Sequence, residues 1–118
     1  MAALALISDL VMQSQLSAAA ADAGVELAIA GSEATCIARA ETLRPRLIIV
    51  DLSHPGLDPR DTMSSLRPFI AADVTTLAFG PHVQKERLAV AAEAGFSVVL
   101  SRGQFHAQMT DILRRLGT

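Results

Sequence analysis

The sequence predicts a doubly wound α/β domain, and three observations predict it. Five short apolar runs, at residues 3–7, 25–30, 47–50, 74–79 and 97–100, begin 22 to 27 residues apart. That interval holds one strand, one helix and two short loops, and is too short for two helices. Three of the runs contain unbroken apolar stretches (LALI, LIIV and VVL) rather than alternating ones. Alternation marks a strand wet on one face, whereas a continuous run marks a strand covered on both faces, as in a parallel sheet. Helical stretches with recognisable start and stop residues lie between the runs. Strand and helix alternating in this way make a five-stranded parallel sheet with five helices in a three-layer sandwich.

The helices follow from their punctuation. The first runs from about 11 to 23, and Gly24 can adopt the positive φ that ends it. The second starts after Ser32, an N-cap residue type, and stops before Pro45. The third opens on Asp58-Pro59-Arg60-Asp61, which reads as N-cap, proline at the first helical position and an acid at the third. The fourth covers roughly 83–94 and ends at Gly95. In the last, Phe105, Met109, Ile112, Leu113 and Leu116 share one face, and Arg114 and Arg115 sit near its negative end.

Composition excludes several function classes. The chain has 118 residues, 51% of them hydrophobic and only 19% charged, which suits one folded domain over 1–118. Many of the apolar residues are alanine, there is no Trp or Tyr, and one Lys faces nine Arg. A net charge of −2 argues against a nucleic-acid surface, and no apolar stretch is long enough for a membrane span. The apolar start carries no basic segment before Asp9, so it reads as a strand and not a signal peptide. A single cysteine, Cys36, fits a reducing compartment, and a cytoplasmic location is expected.

In an open parallel sheet, ligands gather at the carboxyl ends of the strands, near the switch in strand order. That rule selects Ser8 and Asp9, Gly31 and Ser32, Asp51 with Ser53 and His54, Gly80 with Pro81 and His82, and Ser101 with Arg102 and Gly103. No glycine-rich phosphate cradle or Gly-x-Ser-x-Gly elbow accompanies them. Asp51 closes the run LIIVD, an ionisable group after four apolar residues. From position alone, a solvated loop start and a functional carboxylate weigh about equally.

With the stretch Asp51-Leu52-x-x-Pro55-Gly56-x-Asp58, the sequence resembles a response-regulator receiver domain of two-component signalling. Glu93-Ala94-Gly95 ending the fourth helix and Phe105 opening the fifth match too, and the resemblance covers essentially the whole chain. It implies the flavodoxin-like variant of the fold. It also implies that Asp51 matches an aspartate that attacks a phosphoryl group carried on a partner's histidine. In that family Mg²⁺, held by an acidic pair after strand 1, offsets the charge gathering at phosphorus. A strand-4 Thr/Ser hydroxyl and a strand-5 lysine assist it.

The resemblance assigns Ser53 the backbone metal ligand and Arg102 and Gly80 the phosphoryl-contacting positions. The departures from the family pattern are several. Ile7-Ser8-Asp9 stands where two adjacent acids are expected, leaving Asp9 alone as a metal-binding acid beside Asp51. Gly80, or Phe79 one residue earlier, stands at the hydroxyl position, Arg102 at the lysine, Gly103 at the proline that follows it, and Val99 at the switching aromatic. Arginine keeps the charge but not the compact ammonium. The pattern is that of a degenerate, or pseudo-, receiver.

Other constellations read more blandly. His54, His82 and His106 follow strands 3, 4 and 5, but their spacing contains no local metal motif, and loop histidines are usually just solvated. The spacing Asp51-x-x-His54 misses the Asp-x-His-x-x-Gly signature of cobalamin domains by one residue. Cys36, among Ala34, Ile37 and Ala38, reads as an inert core thiol. Ala18 to Ala21 are either filler of high helix propensity or a smooth face for a partner's helix.

Three functions are therefore weighed. The first is a non-enzymatic protein–protein interaction module without a normal phosphorylation switch. Its partners would be a sensor kinase, a phosphotransfer or an output protein, and it could form a homodimer through helix 4, strand 5 and helix 5. The second is a phosphorylatable receiver, part of a phosphorelay, using Asp51, Asp9, Arg102 and Mg²⁺. The third is a fragment or dimerisation unit of a larger regulator.

Overall fold

The computed structural model describes residues 2–117. Its elements run β1 (Ala2–Leu6), α1 (Leu10–Ala23), β2 (Glu26–Ala30), α2 (Glu33–Leu43), β3 (Leu47–Asp51), α3 (Pro59–Leu66), a single 3₁₀ turn (Arg67–Phe69), β4 (Thr75–Gly80), α4 (Lys85–Ala94), β5 (Val98–Ser101) and α5 (Arg102–Leu116). The five strands form one parallel sheet in the order β2-β1-β3-β4-β5. The expected architecture is the one observed.

Two of the three continuous apolar runs, LALI and LIIV, are inner strands, whereas VVL belongs to the edge strand β5. Every residue of β1 and β3 is buried, while β2 and β5, at the edges, are only partly covered. Two cores fill the faces. On one, Ile7, Leu16, Ile49, Phe79, Phe105 and Leu113 pack between the sheet and α1 and α5. On the other, Leu6, Cys36, Ile48, Val50, Met63 and Phe96 pack beneath α2, α3 and α4. Burying a side chain of this size fully contributes about 1.5–3 kcal/mol.

The caps fall largely where the sequence places them. Asp9, Ser32 and Asp58 accept backbone amides at the starts of α1, α2 and α3. Gly24 and Gly95 close α1 and α4 with φ of 71° and 111°, the left-handed region that favours glycine.

Two starts differ from expectation. α4 begins at Lys85, because the chain first makes a turn, with the Gln84 amide donating to the Pro81 carbonyl. α5 begins at Arg102 and not near Phe105. There the Ser101 hydroxyl takes the Gln104 amide, and the Gln104 side chain returns to the Ser101 amide, a reciprocal capping box.

The strand order reverses at β1, which lies between β2 and β3. The crevice at this switch opens at the carboxyl ends of β1 and β3. Asp51 ends β3, and Asp9 starts α1 just beyond β1.

Candidate functional site

Asp51 is nearly buried, its side chain 3% exposed at the tip of β3. Its Oδ1 accepts the Ser53 amide at 2.8 Å, a turn that fixes the carboxylate plane. Its Oδ2 faces Arg102, 3.9 Å from Nη2. The same Nη2 donates to Asp9 Oδ2 at 3.3 Å, while Asp9 Oδ1 accepts the Val11 and Met12 amides and so caps α1. One guanidinium therefore stands between two carboxylates from different corners of the sheet.

Arg102 is held in this place by local structure. Its backbone is set by the capping box at the start of α5. Its guanidinium carbon lies 5.9 Å from the centroid of the Phe79 ring, which stacks on Phe105 at 4.3 Å and 8°. Electron-rich ring faces attract such a cation. Nη1 is buried without a hydrogen-bond partner, while the side chain as a whole is about one-third exposed.

The other positions that the resemblance assigns are occupied by different side chains. Gly80 carries no hydroxyl, and a Cβ added there would stand 3.3 Å from Leu52 Cβ, close enough that Leu52 would have to give by a few tenths of an ångström. Ile7 is buried in the core and Ser8 is exposed, and neither supplies a second acid. Val99 packs partly buried against the α2–α4 core. Lys85 starts α4 and takes no part in the Arg102 cluster.

The segment after Asp51 is fastened to its surroundings by His54, which the strand-end rule selected, and by Arg87, which the sequence did not point out. The Leu52 amide extends the ladder to the Phe79 carbonyl at 2.9 Å. Arg87, from the first turn of α4, donates through Nε to the Leu52 carbonyl at 2.9 Å and through Nη2 to the Leu57 carbonyl. His54 Nε2 meets the Gly31 carbonyl at 2.7 Å, joining this loop to the one after β2.

The three histidines do not converge. His54 is engaged with Gly31, His82 lies beyond β4, and His106 lies inside α5, not in a loop after β5. Among the described residues no group of three His, Cys, Asp or Glu side chains could hold a metal ion. Cys36 is fully buried, and burial, helped by Glu33, raises its thiol pKa to about 12, as suits an inert core thiol. No helix among the described residues is long and apolar enough to cross a membrane.

No protein-family model and no curated protein matches the chain. Solved structures do. A response-regulator signal receiver domain from Bermanella marisrubri superposes with a TM-score of 0.82 at 22% identity, over 98% of this chain and 97% of that one. The fold is that of a receiver domain.

Two further receiver structures match at similar closeness. One is the receiver domain of a Pseudomonas aeruginosa sensor histidine kinase, with a magnesium ion in its active-site cleft (TM-score 0.78, 20% identity, 97% and 94% covered). The other is from a Saccharomyces cerevisiae co-crystal of a histidine phosphotransfer protein with the receiver domain of its downstream response regulator (TM-score 0.80, 17% identity, 99% and 88% covered).

The residues at this receiver fold's crevice do not fit a divalent ion as they stand. Such an ion needs several oxygens free to converge on it. Here both Oδ1 atoms are taken by backbone amides, and both Oδ2 atoms face Arg102. The exposed residue Ser53 would add one carbonyl to that set.

Proposed function

We propose that the chain is a receiver-type domain of two-component signalling that acts by protein–protein contact, without a phosphorylation-driven switch. The observation that carries this reading is the guanidinium of Arg102 set between Asp9 and the nearly buried Asp51. A carboxylate attacks phosphorus only if the charge gathering there is offset at several points at once. In this chain the hydroxyl position is a glycine, Gly80, with Leu52 close beside it, and the acidic pair is reduced to one residue. The domain is then a regulatory module of the cytoplasm and not a catalyst.

Two surfaces suit the partners. α1 carries one charge, Asp22, in fourteen residues, and exposes Leu10 (76%) and Val11 (66%) at its start beside the rim. Exposed large apolar residues beside small ones give a face that a partner's helix can approach closely. The yeast co-crystal supports a phosphotransfer protein as partner for a domain of this fold, with a sensor kinase and an output protein as the other classes. The partly covered edge strand β5, with α4 and α5, is the surface for a homodimer.

Incubation with acetyl phosphate and Mg²⁺, followed by intact-mass measurement, tests the reading. The expected result is an unchanged mass. A phosphoryl adduct that disappears in Asp51→Asn would instead establish the phosphorylatable receiver.

A further inference from the structure

We infer that Arg102 is the resident cation of this crevice: a tethered positive charge that takes the place of a dissociable divalent ion and keeps one out. This rests on the receiver reading of the site. Its basis is the arrangement of four groups. The guanidinium faces the outward oxygens of Asp9 and Asp51, at 3.3 and 3.9 Å, which are the oxygens an incoming ion would need. Both contacts are made by the one nitrogen Nη2, so a single charged donor is shared between the two carboxylates. The guanidinium is also placed before any ligand arrives, by the α5 capping box behind it and the Phe79 ring beside it. Of its nitrogens, Nη1 is buried and without an acceptor, which leaves Nη2 as the one that meets the carboxylates.

The consequence is a crevice whose charge is balanced within the chain. Two carboxylates held close repel each other, and in the absence of a fixed cation they would draw one from solution. Here the balancing charge never leaves. The crevice therefore has one state at all metal concentrations, and the connection from α1 through Asp9 to α5 and β3 persists without any cofactor.

Mn²⁺, a paramagnetic divalent probe, tests this directly through selective broadening of the amide NMR signals of Leu10, Ser53 and Gly103. The wild-type chain is expected to show no saturable broadening there. Arg102→Gln, which removes the charge and keeps a polar group of moderate size, is expected to bind Mn²⁺ about tenfold more tightly or better. Adding Asp51→Asn should abolish that gain. Arg102→Lys, which keeps the charge on a shorter side chain without the planar group beside Phe79, should gain a smaller part of it, and it serves as the main variant if Arg102→Gln fails to fold.

Saturable Mn²⁺ binding by the wild type at these amides would overturn the inference, and so would equal absence of binding in every variant. Neither result depends on the acetyl phosphate experiment. Metal binding without a phosphoryl adduct would sink this inference alone, and an adduct formed without metal would sink the functional reading alone.

Discussion

The loop between β3 and α3 and the loop between β4 and α4 follow neighbouring strands on the same rim, yet they are built in opposite ways. The first is fastened from three sides: by the Phe79 carbonyl of β4, by Gly31 through His54, and by Arg87 of α4. The second has a single backbone turn. None of the side chains of His82, Val83 and Gln84 makes a hydrogen bond or ion pair among the described residues, and Val83 is 74% exposed. α4 is also the one α-helix here whose N-cap residue gives no side-chain hydrogen bond. Its first turn is anchored instead by Arg87 reaching across to the other loop. The loose loop thus depends on the fixed one for its position, and a single arginine carries that dependence.

Arg87→Leu should break the contrast most. It keeps helix propensity but leaves the Leu52 and Leu57 carbonyls without their charged donor, a loss of about 2–3 kcal/mol in urea unfolding. Hydrogen exchange at residues 52–57 and 84–88 should rise together. Exchange rising in only one of the two segments would show that the loops are not linked through this residue.

His54→Ala acts on the fixed loop alone. It should cost about 1 kcal/mol, the usual net worth of one hydrogen bond, and loosen residues 31–33 with 53–56 while sparing 81–84. The smallest effect belongs to the loose loop, where Val83→Ser should change stability by less than about 0.5 kcal/mol. A larger loss there would mean that Val83 is covered in solution, as a self-associating chain would cover it, and sedimentation would show the association.

The fold was legible because its determinants are local. Apolar runs, Ser32, Asp58, Gly24 and Gly95 each act within a few residues of where they stand, and the structure uses all of them. The start of α4 was misjudged because Val83 looks like the first residue of an apolar face, whereas the turn from Pro81 to Gln84 delays the helix.

Asp51, Asp9 and Arg102 were found by the strand-end rule and are brought together. Their bonding was not legible, since Arg102 lies 93 residues from Asp9. Arg87, 35 and 30 residues from its acceptors, left no signal in the sequence at all. Separation in sequence also hid the close approach of Leu52 to Gly80. The absent side chain of Gly80 was visible, but its neighbour was not.

The strand order has a consequence for how the chain reaches this state. Because every neighbouring pair in the sheet is parallel, no pair of strands can close as a hairpin, and each pairing must wait for a helical crossover. Loop closure is therefore paid in full before any strand is rewarded, which slows folding relative to a helical bundle of the same length. The order also makes β1 the common partner of β2 and β3, so the first three strands can assemble while the remainder of the chain is still being synthesised. Arg102 follows the last strand. The charge that faces both aspartates is thus the last of the three groups to be synthesised.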